Sequence, residues 1–193
     1  GNVSLKEMVL AYSVFMNGGR YIEPVLLLKI EDKFGNTLYE HSKVPAAHII
    51  EPYEAQLMTE MMKNVVNAGT ASSLRTVYGL HNEIAGKTGT TQNNSDGWFI
   101  GYTPLLVTGI WVGGDTPSVR FRYGSYGQGA SAALPIWARY MQKIYRNPLY
   151  RYSGEMSFEI PESVKENLNC EDYRERRRLF WRWKLFENKL FDE

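Results

Sequence analysis

A lysine and three threonines lie close together in the middle of the chain, in the segment Ala85-Gly-Lys-Thr-Gly-Thr-Thr91. The segment is typical of a strand, on which Thr88 and Thr90 point to the same face. Lys87 supplies a compact positive charge, and Gly89 leaves room for the backbone of a ligand. The segment therefore predicts a surface that binds a substrate carboxylate and stabilises a developing oxyanion.

This segment is part of a longer pattern, which extends from Gly79 to Gly114. Related stretches are Leu10–Gly19 and Val65–Ala71 upstream, and Ala133–Trp137 downstream. Lys-Thr-Gly is one of three motifs of the penicillin-binding proteins and serine β-lactamases. With these flanking stretches, the chain resembles the C-terminal half of the transpeptidase domain of class A penicillin-binding proteins, from about residue 3 to residue 148.

The resemblance implies a serine-type D,D-transpeptidase that cross-links peptidoglycan. A serine would attack the D-alanyl-D-alanine end of one stem peptide, an amine of a second stem would take the acyl group, and β-lactams would trap the acyl-enzyme. It implies that Lys87 and Thr90 are catalytic, and that Lys87, Thr88, Gly89 and Thr90 bind the substrate. The two threonine hydroxyls would bind its carboxylate, and the Thr90 N–H would form half of the oxyanion hole.

Two other motifs of that family do not occur in this sequence. The family's nucleophile lies in Ser-x-x-Lys, and a Ser-x-Asn motif precedes Lys-Thr-Gly. Ser163-Val-Lys165 has the wrong spacing, and Tyr145-Arg-Asn147 follows Lys87 instead of preceding it. The simplest interpretation is a truncated piece of a longer protein, which lacks the nucleophile and is inactive by itself.

Two other classes of protein stay open. A class A β-lactamase also has Lys-Thr-Gly, but it is not expected to contain a hairpin around Asp32–Asn36 or the long C-terminal tail. A non-catalytic interaction module is the second alternative, because no acyl-enzyme forms without a nucleophile. The resemblance implies stem peptides and β-lactams as partners of the longer protein. It also implies a location outside the cytoplasm in the bacterial cell envelope, with an N-terminal anchor in the cytoplasmic membrane.

Composition indicates a folded chain without an added cofactor. The 193 residues are 44% hydrophobic, which is enough for a core, and the net charge of +1 gives no indication of nucleic-acid binding. Cys170 is the only cysteine, and the three histidines lack the spacing of a zinc site. We therefore expect neither a metal nor a cofactor. No apolar run approaches the ~20 residues that span a bilayer.

Two helices are predicted before the central segment. Ser4-Leu-Lys-Glu7 is a capping box, and the helix that it opens is expected to end at Gly18-Gly19 and to bury Met8, Ala11, Tyr12 and Phe15. A second helix begins at Pro52 and ends near Gly69. Its inward residues are predicted to be Ala55, Leu57, Met58, Met61, Met62, Val65 and Val66. Thr70 is expected to cap a short helix over residues 71–75.

Strands are predicted on both sides of the second helix. Val25–Ile30 and Thr37–Glu40 should form a hairpin. Strands over residues 83–91, 97–102 and 105–112 have short connections, so neighbouring strands should be antiparallel. A loop then leads to a helix over residues 131–146. The fold class is α+β, a partial domain with three strands of the family's five, packed with helices, and a small hairpin.

Further predictions concern side chains near the central segment. Trp98 is predicted to be in the core. Tyr123, Tyr126 and Gln128, on the loop after the third strand, are candidates for bordering the cleft.

The last part of the chain, residues 149–193, is predicted to be a partly helical extension. Leu179, Trp183, Phe186 and Leu190 align on one helical face, although a strand is also compatible with the pattern. Such a face would pack on a membrane surface, on a partner or on the chain's own domain. Since two strands of the family's sheet are missing, we expect an exposed sheet edge and apolar surface, and therefore self-association.

Overall fold

The computed structural model describes residues 3–42, 44–116, 118–148 and 156–168. The chain divides into two compact units, residues 1–158 and 159–193. The first unit contains α1 (Leu5–Met16), β1 (Arg20–Tyr21), β2 (Lys29–Glu31), β3 (Thr37–Glu40), β4 (Ala47–His48), α2 (Pro52–Asn67), α3 (Ser73–Thr76), β5 (Ala85–Thr90), β6 (Asp96–Tyr102), β7 (Val107–Gly113), α4 (Gly124–Gly127), α5 (Gly129–Ala132) and α6 (Leu134–Arg146). The second contains α7 (Glu162–Asn167).

The predicted division of the chain at residue 148 stays a prediction. The apolar face predicted for residues 179–190 lies outside the described residues.

The central element of the first unit is an antiparallel sheet with the strand order β5-β6-β7. In its register Lys87 is opposite Ile100, and Gly89 is opposite Trp98. These strands confirm the predicted meander and the α+β class, with bounds that differ from the predicted ones by one or two residues. β5 and β7 form the two edges of this sheet.

Helix α6 covers one face of the sheet with the largest side chains of the core. Trp137 is completely buried and meets the Phe99 ring edge-on, with the ring centroids 5.2 Å apart. Further members of this core are Val66, Ala71, Leu74, Leu80, Ile84, Ala133, Leu134, Ala138 and Met141. Residues 129–132, before the start of α6 at Leu134, form the separate helix α5.

Helix α1 contacts strands β6 and β7 of the sheet. The predicted capping box is present: the Ser4 N–H donates to Glu7 Oε2 (2.7 Å) and the Glu7 N–H donates to Ser4 Oγ (3.2 Å). The fully buried residue is Val14, while Met8, Tyr12 and Phe15 are half-buried and Ala11 is exposed. The burial predicted for Ala11 is therefore wrong, because the apolar face of α1 is only partly covered in the described structure.

Helix α2 begins at Pro52 and ends two residues before Gly69, as predicted. Its fully buried residues repeat at intervals of three and four: Ala55, Thr59, Met62 and Val66. Met61 lies outside this stripe and is 51% exposed, so its predicted burial is wrong. Thr59 takes a buried position because its hydroxyl is satisfied there, by the carbonyl of Ala55 (2.9 Å) and the hydroxyl of Tyr102 (3.0 Å).

The predicted hairpin forms between β2 and β3. Asp32 Oδ1 accepts from the N–H groups of Phe34 (2.8 Å) and Asn36 (2.9 Å), which closes the turn. The Asn36 side-chain hydrogen bond, followed by the backbone ones, lowers the pKa of the Asp32 carboxyl. The first strand is shorter than predicted, because residues 25–28 have no strand partner among the described residues. The small pair β1–β4 was not predicted, since two residues are too few for a periodic pattern.

Candidate functional site

Arg75 of α3 links the end of α2 to the segment that precedes β5. The Arg75 guanidinium donates to the carbonyls of Leu80 and Asn82, the latter at 2.7 Å. It also donates to Asn67 Oδ1 through Nε (3.1 Å) and Nη2 (3.0 Å). One planar cation thus joins the last turn of α2 to the segment that leads into β5.

A second contact between the same two regions is an ion-pair cluster. Lys63 Nζ lies 2.7 Å from Glu60 Oε1 and 2.9 Å from Glu83 Oε2. The lysine and Glu60 are both mostly buried, so solvent screens this cluster less than an exposed pair. The start of β5 is therefore held in place from α2.

In the part of the chain that the structure describes, β5 is an edge strand, and its backbone faces this free edge at two of the predicted site residues. The N–H of Thr91 donates to the carbonyl of Asp96 (3.1 Å), so residue 91 points towards β6. Because this direction alternates along an antiparallel strand, the backbone groups of Thr88 and Thr90 point away from β6. Lys87 Nζ donates to the Thr88 carbonyl (2.8 Å) at this edge. An N–H donor at Thr90 and an ammonium are thus available on one side of β5.

The side chains of β5 alternate between the two faces of the sheet. Thr88 and Thr90 share one face, where Thr88 Oγ1 is 2.7 Å from Thr70 Oγ1 and Thr90 Oγ1 accepts from the N–H of Gly129 (3.0 Å). Thr70 was predicted to cap α3, but that helix begins at residue 73 and receives no side-chain cap. The Thr70 hydroxyl contacts β5 instead.

A cavity of about 710 Å³ borders strand β5 beside Lys87. It is lined by Val3, Ser4, Leu5, Met8, Tyr12, Lys87, Thr88, Gly89, Thr90, Thr91, Asp96, Trp98, Ile100, Trp111, Gly114 and Asp115. The cavity contains the whole predicted Lys87–Thr90 set. Lys87 is exposed, and within the described ranges no carboxylate forms an ion pair with it.

Two tryptophans, Trp98 and Trp111, line the cavity together with residues of α1. Trp98 is half-buried and lines the cavity, with its ring centroid 6.2 Å from that of Trp111. The core position predicted for Trp98 is therefore wrong: it shares the sheet face of Gly89, its register partner, and that face opens on the cavity. Large flat side chains here give the cavity an apolar wall beside a cationic edge.

Asp96 is one of the two acidic residues that line the cavity, the other being Asp115, and hydrogen bonds from its neighbours satisfy its carboxylate. Oδ1 accepts from Trp111 Nε1 (2.9 Å), and Oδ2 accepts from the hydroxyls of Thr91 (2.8 Å) and Ser95 (3.1 Å). The Thr91 hydrogen bond is the main reason that the pKa of Asp96 lies below its usual value. The ionised carboxylate thus holds the Trp111 ring in the wall.

The loop after β7 approaches β5 through one residue. Tyr123, Tyr126 and Gln128, the candidates for bordering the cleft, are exposed and do not line this cavity. The chain turns into α5 directly after Gln128, which brings Gly129 to the strand. Glycine fits here because a Cβ at residue 129 would lie 2.3 Å from the carbonyl oxygens of Gly89 and Trp98.

Sequence reasoning missed four residues that shape this site: Thr70, Asp96, Trp111 and Gly129. Their partners are far away in the sequence, so no local spacing indicates them. Asp96 is the exception, because it ends the short β5–β6 connection and its contact with Thr91 is local.

Neither a metal nor a membrane span is indicated in the part of the chain that the structure describes. No group of three or more His, Cys, Asp or Glu side chains there could hold a metal ion. No helix there is both long enough and apolar enough to cross a membrane.

Comparison with known families gives one match that covers most of the chain. Residues 2–147 match the family model of the penicillin binding protein transpeptidase domain. Among curated proteins, penicillin-binding protein 1A of Aquifex aeolicus is 38% identical over 168 residues, which are 86% of this chain and 21% of that protein. The chain spans about a fifth of the length of the curated relatives that it matches.

Solved structures share the fold. Penicillin-binding protein 1A from Haemophilus influenzae has a TM-score of 0.68 at 24% identity, over 81% of this chain and 28% of that one. Penicillin-binding protein A from M. tuberculosis, solved as an imipenem acyl-enzyme complex, has a TM-score of 0.59 at 18% identity, over 75% of this chain and 32% of that one. At these identities the likeness shows a common fold.

Proposed function

Because the chain belongs to the penicillin-binding protein transpeptidase domain family, we propose that it forms the Lys-Thr-Gly wall of a peptidoglycan D,D-transpeptidase site. The observation that supports this best is the free edge of β5. An ammonium, an outward N–H and two hydroxyls lie there within four residues, next to a cavity of about 710 Å³. Together they suit an extended peptide that ends in a carboxylate.

The reaction that fits this edge is acyl transfer through a serine ester. The serine oxygen, from a Ser-x-x-Lys segment that this sequence does not contain, attacks the carbonyl carbon of the D-alanyl-D-alanine bond. The terminal D-alanine leaves as an amine that takes up a proton, and an amine of a second stem peptide then attacks the ester and releases the serine. β-Lactams enter the same first step through their ring amide and leave the acyl-enzyme in place.

The site residues act on the charged groups of this reaction. The Thr90 N–H, which points to the free edge, donates to the oxyanion that forms on the attacked carbonyl. Lys87 is exposed and without an ion-pair partner among the described residues, so its field acts on the incoming carboxylate and on the nucleophile. The Thr90 oxygen already accepts from Gly129, which leaves its own proton to donate to the carboxylate.

The alternatives have less support. The hairpin of β2 and β3 is a feature that a β-lactamase of the same superfamily is not expected to have. A non-catalytic interaction module would not need a lysine that forms no ion pair within the described residues next to an N–H at the strand edge. We place the longer protein outside the cytoplasm in the bacterial cell envelope, where peptidoglycan is made.

Labelling with a fluorescent penicillin tests the proposed function. The 193-residue chain alone should take up no covalent label, because the nucleophile of acyl transfer is absent from its sequence. A longer protein that contains this chain together with a Ser-x-x-Lys segment should take up one label per molecule. Denaturing gel electrophoresis after incubation, with unlabelled penicillin as competitor, measures both. A stoichiometric adduct on the chain alone, lost when the chain is denatured first, would contradict the division of roles proposed here.

We also propose that the chain by itself self-associates. Its hairpin region exposes large apolar side chains, among them Leu26 (88%), Phe34 (78%) and Leu28 (71%), and β7 is a sheet edge in the described structure. A net charge of +1 gives little repulsion between copies. Analytical ultracentrifugation at micromolar concentration should therefore detect dimers or larger species. A monomer that becomes aggregated when residues 171–193 are deleted would instead identify the tail as a cover for this surface.

A further inference from the structure

A hydroxyl outside the Lys-Thr-Gly segment contacts one of its threonines. Thr70 lies in the turn between α2 and α3, and its Oγ1 is 2.7 Å from Oγ1 of Thr88. The two residues are 18 positions apart in the sequence, and the contact joins this turn to the strand that borders the cavity. The distance is that of a good O–H···O hydrogen bond.

The turn that holds Thr70 is built without help from its hydroxyl. The N–H groups of Gly69 and Ala71 both donate to the carbonyl of Val65, each at 3.1 Å. The methyl of Ala71 is completely buried in the core, and Arg75 is bonded to Asn67 across the turn. Thr70 itself is exposed. The backbone therefore fixes the Thr70 side chain beside β5, where, among the residues that the structure describes, its hydroxyl hydrogen-bonds with that of Thr88.

The number of protons that the Thr70 and Thr88 hydroxyls can donate determines their hydrogen-bond directions when a carboxylate binds. Each hydroxyl has one proton to donate, so one of the two must donate to the other. A carboxylate only accepts, so Thr88 has to direct its proton to the carboxylate. Thr70 must then be the donor within the pair, and the two O–H groups form a chain that ends on the ligand. In such a chain each bond polarises the next.

On this basis, and resting on the function proposed above, we propose that Thr70 is a positioning residue: it donates to Thr88 and thereby sets the Thr88 hydroxyl as a donor to the substrate carboxylate. Without Thr70 the Thr88 proton is free to rotate to other acceptors. The carboxylate is not part of the bond that reacts. The contribution of Thr70 is therefore to binding of the ligand and not to the rate of the chemical step.

The test uses the longer, acylation-competent protein with Thr70→Val, which keeps the branched shape and removes the hydroxyl. We expect the noncovalent complex with benzylpenicillin, which forms before acylation, to bind about three- to tenfold more weakly. The maximal rate of acylation should be unchanged. Thr70→Ser should retain wild-type binding within about twofold. Thr76→Val is the matched control, since among the described residues that exposed hydroxyl donates to the carbonyl of Ser72, four positions earlier (3.3 Å). Thermal unfolding of each variant shows whether it folds.

Two further measurements test whether Thr70 acts through its hydroxyl on the ligand carboxylate or only through the shape of its side chain. The methyl ester of benzylpenicillin lacks the charged acceptor, so Thr70→Val should change its binding by less than about twofold. In a Thr88→Val background, Thr70→Val should have no additional effect, because the partner is already gone. Stopped-flow measurement of acylation over a range of ligand concentrations gives both quantities.

The outcomes are distinct. Loss of binding in Thr70→Val, rescue by Thr70→Ser and absence of the loss for the ester would support the proposal. An unchanged Thr70→Val, an equal loss for acid and ester, or an equal loss in the Thr88→Val background would overturn it while the proposed transpeptidase function stands. A wild-type protein that no penicillin acylates would overturn both.

Discussion

Replacement of Lys87 by alanine is expected to slow acylation of the longer protein by a β-lactam roughly 100-fold or more, which is the usual effect of removing one group that stabilises charge in a transition state. Lys87 is exposed at the edge of β5, and among the described residues its ammonium donates to the adjacent carbonyl of Thr88 (2.8 Å) without an ion pair. Removal of an exposed lysine with such a contact changes the free energy of unfolding by less than about 0.5 kcal/mol. We therefore expect a large loss of activity and an unchanged melting temperature.

Lys6→Ala is the matched control for this experiment. Lys6 is an exposed lysine in the first turn of α1, next to the cavity-lining residues Ser4 and Leu5, but it does not line the cavity. Its removal changes the net charge by the same amount, so it should slow acylation by less than about threefold if local position matters more than overall charge. Acylation rates measured at two salt concentrations complete the comparison. Acylation of Lys87→Ala within threefold of wild type would mean that Lys87 is only a solvated surface residue.

The elements with a local cause are those that sequence reasoning predicted well. The capping box of Ser4 and Glu7, the proline start of α2 and the short turns between β5, β6 and β7 each depend on residues within a few positions of one another. The same is true of the candidate site, since Lys87, Thr88 and Thr90 are neighbours on one strand. Alternation along that strand was enough to put the two threonines on one face.

What sequence reasoning missed depends on contacts between distant residues. The Thr70 hydroxyl was predicted to cap α3, which is a common local role of threonine. In the structure its partner is instead the hydroxyl of Thr88. Trp98 was predicted to be in the core because large aromatic side chains usually are. Its face of the sheet, however, opens on the cavity, and this depends on how much of that face α1 covers. Neither fact can be obtained from spacing in one segment.

Gly129→Ala is expected to destabilise the chain by about 3 kcal/mol or more, at the upper end of the range for overpacking. The new Cβ would lie 2.3 Å from the carbonyl oxygens of Gly89 and Trp98, which are opposite each other in the β5–β6 ladder. Both obstacles are backbone atoms, so they cannot turn aside as a side chain would. Either α5 moves away from the sheet or the ladder opens at this pair. Both movements also take the Gly129 N–H away from the Thr90 hydroxyl (3.0 Å).

Gly124→Ala separates this effect from the general cost of replacing a glycine. Gly124 and Gly129 each occupy the first position of a short helix, but a Cβ at residue 124 would have its nearest contact at 3.5 Å, with the side chain of Asn94. Because alanine favours helix more than glycine does, Gly124→Ala should be neutral or stabilise the chain by up to about 1 kcal/mol. For a chain of this size, 3 kcal/mol corresponds to a fall in melting temperature of roughly 6–12 °C, which circular dichroism measures readily. If both variants unfold at the wild-type temperature, α5 does not press on β5. In that case the position of the Thr90 hydroxyl must be set by something other than Gly129.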